Sequence, residues 1–222
     1  MYYRLLRKLQ PVLYSIIKWY YRKPREFKKR DIRIKLLPTV FHPSLNYSTD
    51  IFLDYLLTLP LYQKCVLELG AGNGFISLYL AMHRNCQMVS SDINPKAIEG
   101  LRENAAINQV QLTAILSNLF DKLKGYSFDY ILVNPPYFPK QAETTDELAY
   151  YCGANFEFFH EFFLQVKPYL QSGSECLMIL SDTAPTTKII DIAQQKQLSF
   201  QVVSDKITHG EVFSIYSITS VQ

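Results

Sequence analysis

The residues Asn134, Pro135, Pro136 and Tyr137 are the part of the chain whose types and spacing point most directly to chemistry. They directly follow the apolar run 130–133, which is typical of a buried strand. Because a proline disfavours the helical conformation for the residue before it, Asn134 is expected to be held extended at the end of that strand. Its side-chain carbonyl and the backbone carbonyl of Pro135 could then accept both hydrogens of a planar –NH2 group, while Tyr137 stacks on the flat face of that group.

Such an arrangement leaves the nitrogen lone pair facing an incoming electrophile. It would work by positioning and by stabilising the charge that develops on nitrogen, so it requires neither a Ser/His/Asp nor a Cys/His set. The alternative interpretation is an ordinary proline turn after a core strand. We therefore expect an enzyme that moves a small group onto a planar amide or amine nitrogen.

A second candidate site is a glycine-rich turn between a strand and a helix. Its glycines are Gly70, Gly72 and Gly74. They lack a Cβ atom, so the chain can turn sharply and a ligand can approach the backbone, close to the positive end of the next helix. The spacing G-x-G-x-G differs from the dinucleotide pattern, and no G-K-[ST] follows that would indicate a phosphate loop. Asp92 ends the next predicted strand, 22 residues after Gly70, where a carboxylate can accept two hydrogen bonds from a ribose diol. The alternative is a turn without a ligand.

The elements that must position these residues alternate between strand and helix. Strands are predicted over 65–69, 87–91, 112–116, 129–133 and 176–180, and helices over 51–59, 75–83, 95–108, 156–167 and 186–197. Asp50 is interpreted as the N-cap of the first of these helices. The segments 199–204 and 212–219 are predicted to close the sheet as an antiparallel pair. The pattern predicts an α/β fold, with a mostly parallel sheet and helices on both faces.

Charge is unevenly distributed along the 222 residues. Residues 1–35 hold 12 basic and 2 acidic residues, a net charge of +10, whereas the remainder holds 11 basic and 18 acidic residues, a net charge of −7. Such asymmetry indicates contact with nucleic acid, with the ribosome or with an anionic membrane surface. Residues 1–23 have helical spacing and admit three interpretations: a helix docked on the domain, an interfacial membrane helix or a partner-binding arm. The segment 23–35 is interpreted as a charged connector, so we expect a basic extension over 1–37 and one domain over 38–222.

The cysteines, the histidines and the N-terminal apolar run argue against several other classes of protein. The four cysteines form no C-x-x-C pair, which favours reduced thiols in a cytosolic protein. The four histidines are scattered without metal-ligand spacing, so no metal site is predicted. The longest uncharged N-terminal run is too short to span a bilayer, and no secretory cleavage site follows. We expect a cytoplasmic protein.

Over residues 38–220 the paired motifs resemble the class I S-adenosylmethionine-dependent methyltransferases, in the branch that carries an N-P-P-Y motif. This branch includes the protein-glutamine methyltransferases that modify release factors, and RNA and DNA methyltransferases that act on exocyclic amines. The resemblance implies a Rossmann-like seven-stranded sheet, six strands parallel and one antiparallel, with S-adenosyl-L-methionine as the cofactor.

The resemblance also implies roles for individual residues. The methionine part of the cofactor would be lined by Glu68, Gly70, Gly72 and Gly74. Asp92 would hold the ribose hydroxyls, with Ile93 beside the adenine. Asn118 stands where the family usually has an aspartate that reads the adenine amino group, and its carbonyl oxygen can still accept that hydrogen bond. The acceptor nitrogen would be held by Asn134, Pro135, Pro136 and Tyr137. The segment that contains Pro43, Ser48, Thr49 and Asp50 resembles the loop that covers cofactor and substrate in this family.

The resulting hypothesis is an N-methyltransferase that acts on a planar amide or amino nitrogen, with glutamine N5 in a protein slightly favoured. One alternative is an RNA methyltransferase of the adenine-N6 type, which the basic N-terminal segment favours. The other alternative is a module that binds the cofactor without turnover. The expected partner is a macromolecular acceptor, either a ribosome-associated protein or RNA, and the basic extension could contact an anionic surface.

Overall fold

The computed structural model describes residues 23–38, 40 and 47–221. The strands of this part of the chain are β1 (Arg25–Lys29), β2 (Ile32–Leu36), β3 (Cys65–Leu69), β4 (Gln87–Asp92), β5 (Thr113–Leu116), β6 (Tyr130–Val133), β7 (Glu175–Ser181), β8 (Leu198–Thr208) and β9 (Glu211–Ser220). Strands β3 to β9 form one seven-stranded sheet with the order β5-β4-β3-β6-β7-β9-β8. Strands β3 to β7 pair in parallel, and β9 lies antiparallel between β7 and β8. The Rossmann-like α/β fold with a C-terminal antiparallel hairpin is thereby confirmed.

Five α-helices in the described part of the chain connect and cover these strands. They are α1 (Ser48–Leu56), α2 (Phe75–Arg84), α3 (Pro95–Ile107), α4 (Glu157–Val166) and α5 (Thr186–Gln195). The predicted start of α3 is confirmed, because Asn94 caps it by accepting a hydrogen bond from the backbone N–H of Lys96 at 2.9 Å.

The sheet separates two apolar layers. Successive side chains of a strand point to opposite faces, so Leu67 of β3 packs with the layer that contains α4, and its neighbour Val66 packs with the layer that contains α1 and α2. In α4, Phe159 and Phe163 are completely buried four positions apart, so both reach the sheet from the same side of the helix. Fully burying a side chain of this size contributes roughly 1.5–3 kcal/mol, which anchors α4 beside the sheet.

The segment 23–35 is not a charged connector, because it contributes the antiparallel hairpin β1–β2. In β2, Ile32 and Ile34 are buried and pack among the residues of the α1 and α2 layer. The Asn104 side chain of α3 accepts a hydrogen bond from the backbone N–H of Lys35 at 2.8 Å and donates to its carbonyl at 3.2 Å. The alternation of apolar and basic residues in 32–36 is a strand pattern that the high local charge conceals.

The start of α1 also differs from the prediction. The helix begins at Ser48, two residues before the expected cap, and Asp50 lies in its first turn. There Asp50 forms an ion pair with Lys29 of the hairpin, at 2.9 Å, instead of capping the backbone. The interpretations made for residues 1–22 lie outside the described residues, and the division of the chain at residue 37 remains a prediction. In the part of the chain that the structure covers, none of the helices has the length and apolar character needed to cross a bilayer.

Candidate active site

A cavity of about 470 Å³ opens at the carboxyl ends of β3, β4 and β6. These three strands are neighbours in the sheet, so the segments that follow them meet at one edge, where open parallel sheets bind ligands. Ten of the eleven predicted site residues line this cavity. They are Glu68, Gly70, Gly72, Asp92, Ile93, Asn118, Asn134, Pro135, Pro136 and Tyr137. The structure therefore brings the glycine turn and the Asn-Pro-Pro-Tyr segment into one cavity.

The glycine turn is locked to the neighbouring strand by its backbone. The N–H groups of Gly70 and Ala71 both donate to the carbonyl of Ser91, at 2.8 and 3.0 Å. Gly70 and Gly72 have φ angles of +74° and +56°, a conformation that favours glycine. A Cβ atom added to either of them would meet no protein atom within 4 Å. Both positions thus border open space that a side chain would otherwise occupy.

Gly74 is the predicted site residue that does not line the cavity. It precedes α2 with a φ angle of +81°, and an added Cβ atom would lie 2.0 Å from Cδ1 of Leu101. A larger residue would therefore overlap with Leu101, so the close packing of α2 against α3 explains why a glycine stands here. A contact between Gly74 and the cofactor remains a prediction.

Asp92 joins the end of β4 to the glycine turn. Its Oδ2 accepts a hydrogen bond from the N–H of Gly72, and its Oδ1 accepts one from the N–H of Asn94, both at 2.8 Å. Burial raises the pKa of Asp92, whereas the hydrogen bonds from Asn94 and Gly72 oppose that shift. A carboxylate oxygen has more than one acceptor direction, so each oxygen can still accept from a ligand hydroxyl.

Glu68 is buried near the end of β3 and connects to two serines. Its Oε2 accepts hydrogen bonds from the N–H of Ser77, at 2.9 Å, and from the Ser77 hydroxyl, to which the Ser90 hydroxyl donates at 2.7 Å. Burial raises the pKa of Glu68 to about 7, and the negative charge of nearby Asp92 adds to that increase, whereas the hydrogen bonds from Ser77 oppose it only in part. Ser77 was not predicted as a site residue, although a serine inside the apolar run of α2 was the available signal.

Ile93 and Asn118 lie at the outer part of the cavity. Ile93 follows Asp92 and is 45% exposed, which is unusual for a large apolar residue next to a buried strand. Asn118 follows β5 and is exposed, and its backbone carbonyl accepts a hydrogen bond from the N–H of Asp121 at 3.1 Å. Both side chains are therefore accessible to a molecule in the cavity.

The side chain of Asn134 contacts the start of α1. Its Nδ2 donates a hydrogen bond to Oγ of Ser48 at 3.2 Å, and Ser48 and Thr49 line the cavity as well. Ser48 was included in the predicted covering loop but not among the site residues. The two partners are 86 positions apart in the chain, so spacing offered no signal for this contact.

Tyr137 is held at its ring and at its hydroxyl. Its ring centroid lies 4.8 Å from that of Phe138, and its hydroxyl lies 3.4 Å from Oγ of Ser181 at the end of β7. Ser181 is in turn 2.5 Å from the Thr183 hydroxyl. These contacts keep an aromatic ring beside Asn134 at the edge of the cavity.

The segment 138–156 forms the outer side of the cavity. It folds back on itself, since the N–H of Phe138 donates to the carbonyl of Tyr150 at 3.1 Å and the N–H of Cys152 donates to the carbonyl of Phe138 at 3.0 Å. Helix α4 adds Glu157 and Glu161 to the lining, whereas no lysine or arginine stands among the described lining residues. The described cavity is therefore acidic and aromatic at its outer part.

Comparison with known proteins gives relatives of two kinds. A Methanocaldococcus jannaschii protein, named provisionally as a protein N5-glutamine methyltransferase, is 31% identical over 178 residues, which cover 77% of this chain and 86% of that protein. The release factor glutamine methyltransferase of Aquifex aeolicus is 40% identical over 41% of this chain and 34% of its own length. The ribosomal RNA small subunit methyltransferase C of Cronobacter sakazakii is 34% identical over 56% of this chain and 36% of its own length. The chain thus spans about a third of the latter two enzymes.

A solved structure of a methyltransferase from Pyrococcus furiosus has the same fold, with a TM-score of 0.66 over 97% of this chain and 99% of that chain, at 16% identity. The family described as "Methyltransferase small domain" matches residues 31–206, which include β2 and the strands of the large sheet from β3 to most of β8, but not β9. The chain therefore belongs to the methyltransferase small domain family of S-adenosylmethionine-dependent N-methyltransferases.

Proposed function

We propose that this enzyme methylates the side-chain nitrogen of a glutamine residue in a protein. The observation that carries the proposal is that Asn134 lies in the same cavity as the glycine turn. Its Nδ2 donates a hydrogen bond to the hydroxyl oxygen of Ser48. The amide oxygen of Asn134 then remains as the acceptor for a substrate N–H. A planar –NH2 group is the partner that this acceptor fits.

The residues at the glycine turn fit S-adenosylmethionine. The open space beside Gly70 and Gly72 would admit the methionine part against the backbone, and the acidic Glu68 would face its ammonium group. Asp92 has both oxygens oriented by backbone N–H groups, which suits the two hydroxyls of a ribose. When bound, this cofactor supplies an electrophilic methyl group on a sulfonium sulfur.

The chain itself would contribute orientation. The Oδ1 of Asn134 and the carbonyl of Pro135 would accept the two N–H hydrogens of the substrate amide, which turns the nitrogen lone pair away from the protein carbonyls and toward the methyl donor. An amide nitrogen is a weak nucleophile because its lone pair is delocalised into the carbonyl. Hydrogen bonds that strengthen as positive charge develops on that nitrogen lower the barrier. As the nitrogen bonds to the methyl carbon, the bond from that carbon to sulfur would break, and the nitrogen would then release one of its two hydrogens as a proton to solvent. Tyr137 would cover the flat face of the amide.

The charge of the cavity favours a protein acceptor over RNA. Glu157 and Glu161 lie on its outer side, and the described lining residues include no basic side chain to hold a phosphate. Lys140 lies nearby but is not one of the lining residues; its Nζ sits 4.6 Å from the ring centroid of Tyr151. A nucleic-acid site is normally basic, because phosphate contacts supply most of the affinity. A neutral glutamine side chain has no such requirement.

Methylation of an exocyclic amine in ribosomal RNA is the second candidate. The net charge of +10 in residues 1–35 supports it, as does the similarity to enzymes named ribosomal RNA small subunit methyltransferase C. On this alternative, the basic segment would bind the RNA and the cavity would admit one flipped-out base.

The deciding experiment supplies the purified enzyme with tritiated S-adenosylmethionine and, in separate reactions, a release factor, ribosomal proteins and small-subunit ribosomal RNA. The proposal expects label in a protein, and mass spectrometry of its peptides should locate the added methyl on a glutamine. Label in RNA alone would replace the proposal with the second candidate. Absence of transfer to every acceptor, with cofactor binding retained, would favour a module without turnover.

A cytoplasmic location and contact of the N-terminal segment with an anionic surface remain part of the proposal.

A further inference from the structure

The side chain of Ser48 supplies the contact that orients Asn134. Ser48 is the first residue of α1, has 8% of its surface exposed and lines the same cavity. Its Oγ accepts the hydrogen bond from Nδ2 of Asn134 at 3.2 Å. Ser48 therefore touches the side chain that would bind the acceptor, although it lies on a different element.

The orientation of the Asn134 amide decides whether it can bind a substrate –NH2. The oxygen and the nitrogen of a primary amide lie on opposite sides of the same plane, and only the oxygen accepts hydrogen bonds. With Nδ2 on Ser48, Oδ1 is the atom left for the substrate. A rotated amide can still pair with Ser48, whose hydroxyl donates as well as accepts, but it would present its own –NH2 to the –NH2 of the substrate, where neither group can accept.

Ser48 is itself held in place by contacts around the start of α1. The preceding Tyr47 stacks on His209 of the β8–β9 turn, with 4.4 Å between ring centroids and 25° between ring planes. Two residues after Ser48, Asp50 forms its ion pair with Lys29 of the β1–β2 hairpin. The start of α1 is thus tied to both hairpins, which makes Ser48 a fixed reference for the Asn134 side chain.

We propose that Ser48 is a positioning residue that holds the amide of Asn134 with its oxygen toward the acceptor nitrogen. The inference rests on the proposed function, in which Asn134 binds that nitrogen. On this proposal, loss of Ser48 acts through Asn134, because it lowers the fraction of enzyme in which Asn134 has the productive orientation.

The kinetic test compares Ser48→Ala and Ser48→Thr with the wild type. Transfer from tritiated S-adenosylmethionine is measured with three acceptor probes: a release factor, ribosomal proteins and small-subunit ribosomal RNA. With the probe that wild type methylates, Ser48→Ala should lower kcat by about 2- to 10-fold, the range expected for one neutral hydrogen bond. The KM for S-adenosylmethionine should stay unchanged, and Ser48→Thr should restore most of the rate because it keeps the hydroxyl. Equal kcat values for Ser48→Ala and wild type would overturn the proposal.

Thr58→Ala is the matched control. The Thr58 hydroxyl donates to the backbone carbonyl of Tyr55 at 2.7 Å, just beyond the other end of α1, and Thr58 does not line the cavity. Thr58→Ala deletes the same chemical group, a hydroxyl, near the same helix but away from the cavity. The kcat of this variant should therefore equal that of wild type. A loss equal to that of Ser48→Ala would assign the effect to the stability of α1 and overturn the positioning role.

A second measurement is independent of the acceptor. In ¹⁵N spectra of the full chain, the side-chain amide signal of Asn134 is identified by its loss in Asn134→Asp. Ser48→Ala should shift that signal, whereas Thr58→Ala should leave it in place. If wild type methylates none of the three probes, the proposed function fails, and this signal alone decides the positioning role. An unshifted Asn134 signal in Ser48→Ala would exclude it.

Discussion

The carboxylate of Asp92 accepts a hydrogen bond from the backbone N–H of Gly72 at 2.8 Å, so the end of β4 is tied directly to the turn that follows β3. Its other oxygen accepts from the N–H of Asn94, also at 2.8 Å. Both oxygens are oriented by the backbone before any ligand arrives. A diol can therefore bind without the cost of ordering this side chain.

We expect Asp92→Asn to weaken S-adenosylmethionine binding by at least about 10-fold, because a hydrogen bond to a charged group contributes roughly 1.5–3 kcal/mol. An asparagine must also place its own –NH2 against the N–H of Gly72 or of Asn94, where no acceptor is available. Isothermal titration calorimetry with S-adenosylmethionine measures the affinity. Asp205→Asn on the edge strand β8 removes one carboxylate charge elsewhere and should bind as wild type does. Unchanged affinity for Asp92→Asn would exclude the proposed ribose contact.

Asn134→Ala should lower the rate of methyl transfer by about 100-fold, which is typical for removal of one group that stabilises charge in a transition state. Affinity for S-adenosylmethionine should stay close to that of wild type, because the side chain is assigned to the acceptor nitrogen. Single-turnover assays give the rate, and calorimetry gives the affinity. A normal rate of methyl transfer in Asn134→Ala would refute the proposed role of Asn134. Loss of cofactor binding in Asn134→Ala would instead assign Asn134 to the cofactor.

Much of the sheet could be predicted from the sequence because its strands are short, apolar and bounded by turn residues. The bounds of β3 agree with the prediction, and the antiparallel order of β8 and β9 follows from their alternation. The carboxyl edge of a parallel sheet is a general ligand site, so Asp92 and Asn134 could be expected near each other.

The missed features depend on tertiary contacts. The hairpin β1–β2 was hidden because its basic residues suggest a solvated segment, although Ile32 and Ile34 are buried. The bond between Ser48 and Asn134 joins positions 86 apart, and nothing in local spacing indicates it. The sequence gives no sign that Gly74 is a glycine for a different reason from Gly70 and Gly72. The atom that excludes a side chain at Gly74 belongs to Leu101, which lies in a later helix.

The buried Glu68 should make the stability of the cofactor-free protein depend on pH. Burial raises its pKa from 4.5 to about 7, so the folded protein binds more protons than the unfolded chain between these values. The free energy of unfolding contributed by this group therefore falls as the pH rises through that interval. Glu68→Gln keeps an acceptor for Ser77 and does not titrate. Its stability relative to wild type should increase from about pH 5 to about pH 8, by up to about 3 kcal/mol.

Urea unfolding at the two pH values measures this difference for Glu68. Glu211→Gln, at the exposed start of β9, is the control and should show the same stability difference at both pH values. A constant difference between Glu68→Gln and wild type would mean that Glu68 is already ionised in the folded protein at the lower pH.

The β1–β2 hairpin should contribute to the stability of the whole fold. Ile34 is 1% exposed within the layer formed with α1 and α2, so Ile34→Ala should lower the free energy of unfolding by about 2–5 kcal/mol. Ile207→Ala is the matched control, because Ile207 is 72% exposed on β8 and its truncation should change stability by less than about 0.5 kcal/mol. Urea denaturation followed by circular dichroism gives both values. Equal effects of the two substitutions would show that the hairpin is not part of the cooperative unit.

Gly74→Ala should destabilise the protein by at least about 2 kcal/mol, through backbone strain together with steric overlap. The overlap is specific, since the new Cβ would lie 2.0 Å from Cδ1 of Leu101. Gly125→Ala has the same kind of strain, with a φ angle of +91°, but its Cβ would meet nothing within 4 Å. The difference between the two variants therefore estimates the contribution of the overlap. Adding Leu101→Ala removes the obstructing atom, so the combined effect should be smaller than the sum of the single effects, which urea denaturation can determine. Additive effects would mean that α2 and α3 separate freely, and that Gly74 is required for another reason.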